Sequence, residues 1–153
     1  MVQVKAEEAG STSIYEQDYV RWIEQQVELL HEGSLESLDV PNLIDELGDL
    51  AINHKHALES NLVVVLKHLL KYHYQPDRRS RSWLSSIREH RRRIRRIILG
   101  SPSLRPYAAT VFADAYAEGR LQAADETALP AEGFLAAAPW TLEQVLDPDF
   151  LPD

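Results

Sequence analysis

The sequence predicts an all-α fold: a single irregular domain of four main helices, the second one long, with a wrapping C-terminal tail that contains a short helix. Three observations carry this. Apolar residues recur at the 3.6-residue spacing of a helix face over long segments. The period-two alternation of a half-buried strand is absent. Gly33, Pro76 and Gly100 fall between the periodic segments, where breakers belong.

Residues 1–12 read as a loose N-terminal tail, polar and small, and residues 13–153 as the helical domain. Ser13 and Glu16 have the three-residue spacing of a capping box. Tyr15, Tyr19, Trp22, Leu29 and Leu30 then share one side of a helix over about 14–31, with Glu24 and Glu28 opposite and Gly33 as its stop. Asp39 or Asn42 with Pro41 marks the next start, because proline is tolerated in a first turn. Leu43, Leu47, Leu50, Ala51, Leu58, Leu62, Val65 and Leu69 form the stripe of one long helix, about 41–73, with a bend expected near Gly48. The run Leu62–Leu70 is apolar nearly all round, so this part should be central.

Pro76 breaks the chain after Tyr74. The next helix, about 80–99, has Ser80 or Asp77 near its cap and Trp83, Ile87, Ile94 and Ile98 as its stripe. Gly100 ends it. Ser101–Pro102 opens a fourth helix, about 103–126, with Leu104, Ala108, Val111, Phe112 and Ala115 facing inward. The rest carries four prolines in 27 residues and should wrap the surface, with a short helix near 142–147 capped by Thr141.

The size of 153 residues suits one domain, and 44% hydrophobic residues suffice for a core. There is no cysteine, which excludes disulfides, thiolate metal sites and a cysteine nucleophile. The apolar stretch Leu62–Leu66 is far shorter than the ~20 residues that span a bilayer, and Met1–Gly10 has no apolar run of the kind a secretory signal needs. A soluble, cytoplasmic protein with no membrane contact is expected.

Charge is segregated within the formal net of −8. Residues 67–96 hold eleven Lys/Arg against two acids; residues 1–66 hold three against thirteen, and residues 97–153 two against nine. Nine arginines lie between Arg78 and Arg96. Arg88, Arg92, Arg95 and Arg96 fall opposite Ile87 and Ile94 on the helix, Arg91 at the edge of the apolar stripe, and Arg78, Arg79 and Arg81 at its start. Guanidinium forks onto carboxylate or phosphate. These seven residues, Arg91 apart, are the candidate partner-binding or ion-pair surface. The expected partner is an acidic protein surface, a second copy, or the chain's own acids, with Glu24, Glu28, Asp45, Asp49 and Glu59 as candidates. Nucleic acid is the alternative, since several cations gathered on one helix release counterions from a phosphate backbone. Against it stand the acidic global balance and the lack of a glycine-rich loop, interleaved aromatics or a helix-turn-helix pattern.

No catalytic, cofactor or metal constellation stands out. His54, on the apolar stripe near Asn61, and His90, beside Ile97, read as satisfied or half-buried histidines. Glu46, Asp49 and Asn53 share a neighbouring face, but no Glu-x-x-His or His-Glu-x-x-His spacing occurs, and His54 and His56 diverge on a helix. The aromatic and arginine-rich stretch Tyr72–Trp83, with Pro76 in its middle, has the composition of a ligand-binding loop, but reads rather as a rigid corner closing the core edge. The serines Ser80, Ser82, Ser85, Ser86 and Ser101 sit at caps and helix starts, where serine is expected without catalysis. The functional expectation is a non-enzymatic interaction or self-associating module using Arg78–Arg96, with an enzyme ranked third.

Five blocks, in order, are similar to a bacterial family: YEQDYVRW at Tyr15–Trp22, NLIDEL at Asn42–Leu47, HLLKYHYQPDRRSRSW at His68–Trp83, SPSLRPY at Ser101–Tyr107 and TLEQVLDPDFLP at Thr141–Pro152. On them the chain resembles domain-of-unknown-function family 29 over nearly its whole length. The resemblance implies a helical cytoplasmic protein of the kind common in cyanobacteria and proteobacteria. It brings no activity, cofactor or catalytic residue onto these positions. The chain departs from relatives at Ile52–His54, where their long helix is often charged.

Overall fold

Asp18 interrupts the first helical segment. Its carboxylate accepts the amide of Arg21 at 3.1 Å, so the aspartate caps a new helix instead of continuing the old one. The computed structural model describes residues 12–153, so the expected loose tail, Thr12 excepted, lies outside the described residues. The helices are α1 (Ile14–Gln17), α2 (Tyr19–Glu32), α3 (Val40–Tyr74), α4 (Arg81–Gly100), α5 (Leu104–Thr127) and α6 (Leu142–Leu146), with short 3₁₀ turns between some of them. The fold is all-helical, with no strand among the described residues and four helices of real length, as the sequence predicts. The single expected helix over 14–31 is thus two, and Ser13 makes no side-chain cap. Contacts gather into two compact units that meet in sequence at Leu50 and Ala51, and α3 runs through both.

The first unit is thinly cored. Among its described residues Trp22 is the one buried apolar side chain, and Gln26, one turn on in sequence, is buried too. Polar bonds hold it instead. The Trp22 indole donates to Asp39 at 2.9 Å, Asn42 donates to the same oxygen at 2.7 Å, and the Asp39 amide donates to Gln26 at 2.7 Å. Tyr15 and Tyr19 both donate to the Glu46 carboxylate. That bond raises the Tyr15 phenol to about 12 and lowers Glu46. Gly33 closes α2 at φ +73°, a left-handed conformation that glycine adopts without strain.

The second unit holds the core. Leu58, Leu62, Val65, Leu66, Leu69 and Leu70 on α3 are fully buried, which makes this stretch the centre of the unit. Ile87 and Ile94 of α4 and Leu104, Ala108, Ala115, Tyr116 and Ala123 of α5 complete the cluster. The earlier half of the stripe behaves otherwise: Leu47 and Leu50 are exposed, at 64% and 57%. Gly119 lets α5 approach α3 closely. A Cβ there would stand 3.2 Å from Leu66 Cβ, the Lys67 amide and the Val63 carbonyl. Glu126 ties the same two helices, accepting from Lys67 at 2.8 Å and Lys71 at 2.7 Å.

The tail wraps this core. Phe134, Trp140, Leu142 and Val145 are buried, and Tyr116 donates to the Leu135 carbonyl at 2.7 Å. Thr141 and Gln144 form a reciprocal capping box on α6. The corner at Pro76–Arg78 is a short 3₁₀ turn. Arg79 lies 4.1 Å over the Tyr72 ring and donates to the Tyr72 carbonyl, and Lys71 stands 4.7 Å over Trp83.

Candidate functional site

Helix α4 starts where Ser80 accepts the amide of Trp83 at 3.3 Å, and it buries Ile87, Arg91 and Ile94. That inward row turns the other arginines outward, but not into one surface. Arg88, Arg92 and Arg95 line one side. With Ile94, Ile98 and Leu99, and with Leu146 and Pro148 from the tail and Arg105 from α5, they enclose a cleft of about 500 Å³. Arg93 and Arg96 line a different hollow, of about 430 Å³, with His54, Asn61 and Ile97. Arg78, Arg79 and Arg81 sit at the corner, where Arg79 is spent on Tyr72. Of the seven candidate arginines, the fold therefore brings three together.

Among the described residues, the acid that forms ion pairs with arginines of α4 is the helix's own Glu89. Arg92 grips both oxygens of Glu89 at 2.9 Å, and Arg93 donates to one of them at 2.9 Å. These three bonds hold the Glu89 carboxyl at about 2. Glu59, expected among the partners, instead accepts the Tyr107 hydroxyl. Arg88, Arg95 and Arg96 are exposed and have no ion-pair partner among the described residues. Arg105, also in the cleft lining, pairs with Glu143 at 3.1 Å.

Arg91 plays a different part. It is 6% exposed, and it donates from Nε to the Val145 carbonyl at 2.7 Å and from Nη1 to the Phe150 carbonyl at 2.9 Å. Burial lowers its pKa to about 10, against the opposing field of Asp147. It anchors the tail, and the anchored tail brings Leu146 and Pro148 to the cleft. Its place at the edge of the apolar stripe was the sequence signal for this. Nothing local in the sequence joins Arg105, Leu146 and Pro148 to α4.

The cleft combines an apolar floor with a guanidinium rim. Among the described residues its lining holds no carboxylate, histidine or hydroxyl side chain. It suits binding of an anionic group attached to an apolar body. His90 is half-buried, with Nδ1 2.7 Å from the Asn61 amide oxygen; burial lowers its pKa and keeps it neutral near pH 7. His54 is exposed, not half-buried as expected, since the stripe that carries it leaves the core before Leu58. No group of three His, Cys, Asp or Glu residues is placed to hold a metal ion among the described residues. No described helix is long and apolar enough to cross a membrane.

No curated protein and no solved structure matches the chain. The family model described as "Domain of unknown function DUF29" matches residues 14–151, covering the corner, the arginine helix and the tail that completes the cleft, and the chain belongs to that family.

Proposed function

We propose that this protein is a non-enzymatic interaction module whose α4 cleft binds an acidic protein segment carrying apolar side chains. The observation that carries the reading is that Arg88 and Arg95, exposed and without ion-pair partners among the described residues, line one cleft with Ile98, Leu99 and Leu146. Guanidinium forks onto carboxylate, and the floor takes up apolar surface beside it. A nucleic-acid backbone would use a continuous cationic track and gain little from that floor. Here the arginines divide between two sides of the helix and the corner, inside a chain of net charge −8.

Fluorescence anisotropy tests this. The probes are a labelled helical peptide with Glu and Leu at i, i+4 spacing, a short duplex DNA and a structured RNA, each at low and moderate salt. The peptide binds, the nucleic acids do not, and R88E/R95E removes peptide binding. Salt-sensitive binding of DNA or RNA without peptide binding would overturn the reading in favour of nucleic acid.

A further inference from the structure

Helix α2 is apolar on two sides. Trp22 and Gln26 face inward and are buried. Val20, Ile23, Val27 and Leu30 form a second stripe at helical spacing and stand in solvent, 64%, 37%, 46% and 52% exposed. Glu24 and Glu28 flank that stripe, and a shallow hollow runs along Ile23, Val27 and His31 between them. A solvent-facing row of four large apolar side chains marks a docking surface.

We propose that the occupant of the α4 cleft is helix α2 of a second copy of this chain. The inference rests on the reading of the cleft as a site for an acidic, apolar segment. The two surfaces are complementary in each respect. Ile23 and Val27 are exposed on one surface, and Leu99, 73% exposed, stands with Ile98 and Leu146 on the other, so each presents apolar side chains that the other can cover. Glu24 and Glu28 flank one stripe; Arg88 and Arg95, exposed and without ion-pair partners among the described residues, flank the other. Packing two α2 stripes against each other would instead set glutamate against glutamate. A chain that carries both halves of one contact can join copy to copy, with charge selecting the pairing.

The test is sedimentation equilibrium of the full chain with two exposed charge reversals, E24R/E28R and R88E/R95E, both checked for helicity by circular dichroism. The wild type associates reversibly and more weakly as salt rises. Each variant alone associates at least tenfold more weakly. Their equimolar mixture regains wild-type association, because the arginine-bearing α2 of one now meets the glutamate-bearing cleft of the other. A wild type that stays monomeric overturns the inference while leaving acidic-peptide binding to decide the reading of the cleft. Association that survives both reversals, or that the mixture does not restore, overturns it as well.

Discussion

Arg91 on α4 donates from Nε to the carbonyl of Val145 at 2.7 Å, 54 residues further along the chain. A second bond from Nη1 reaches Phe150 at 2.9 Å, so one guanidinium spans the tail from α6 to beyond its end. The most inward arginine of the basic helix is therefore structural: it ties α4 to the stretch of tail that carries Leu146 and Pro148 in the cleft lining. Replacing Arg91 by Met keeps much of the stem and leaves two carbonyls without their donor. Hydrogen bonds to a charged group contribute about 1.5–3 kcal/mol each, less when water reaches the acceptor afterwards. We expect R91M to lower stability by about 2–3 kcal/mol, and R91K to recover less than half of that, since an ammonium cannot reproduce the fork. Thermal melts give the loss. Limited proteolysis should show early cuts after Val145, which the wild type resists.

Gly119 and Gly48 should respond to alanine in opposite senses. At Gly119 a methyl would stand 3.2 Å from two backbone atoms and a Cβ of α3, none of which is the end of a flexible side chain. Overpacking of this kind costs about 1–3 kcal/mol, more than the ~1 kcal/mol that alanine contributes to helix propensity. Nothing lies within 4 Å of a Cβ at Gly48, inside α3. G119A should melt below the wild type and G48A above it by about 0.5–1 kcal/mol. The same sign at both positions would mean that α5 does not approach α3 as described.

Helix type and order were legible because the apolar stripes of α3, α4 and α5 are long and the breakers sharp. Burial was less so. The α3 stripe runs on from Leu43 to Leu69 without change of period, yet its residues enter a core only from Leu58 onward. Periodicity names a face; it does not say whether another element covers it. The break at Asp18 is not legible from spacing, because Ser13 offers an equally good capping pattern upstream; in the structure Ser13 makes no side-chain cap, whereas Asp18 accepts the Arg21 amide. The arginine helix was visible as charge. Its division into cleft, hollow and corner was not, because that depends on tail residues about 50 positions away. Gly119 had no local signal at all: a glycine inside an amphipathic helix looks the same whether it faces solvent or another backbone.

Trp22 should control the first unit alone. It is the one buried apolar side chain among that unit's described residues, at 1% exposure, and its indole donates to Asp39, just before α3. Truncating a buried tryptophan costs about 3–5 kcal/mol, a large share of what so small a cluster supplies. In W22A, amide hydrogen exchange along Tyr19–Glu32 should become as fast as in an unstructured peptide, while Leu58–Leu70 stays protected, because regions with few buried contacts open separately from the core. Equal loss of protection in both segments would refute separate opening.

Glu126 should make the protein less stable in acid, with a sign fixed by its surroundings. Burial by itself would raise the carboxyl, but the bonds from Lys67 and Lys71 outweigh it and hold the group at about 2, below its ordinary 4.5. A group depressed in the folded state stabilises it wherever the unfolded chain is ionised too, that is, above about pH 4.5–5. That stabilisation fades as pH falls through 4.5 toward 2, where both states are protonated. The side chain is 42% exposed, so solvent screening reduces the contribution to about 1 kcal/mol. The expected measurement is a difference curve. Urea unfolding of wild type and E126Q, followed from about pH 7 down to pH 2, should give a constant gap above about pH 5 that closes steadily below it. Glu89 also titrates low, held by Arg92 and Arg93, but it is present in both proteins and cancels in the difference. A gap that widens as pH falls would reverse the sign argued here and show that Glu126 is not held as a carboxylate by the two lysines.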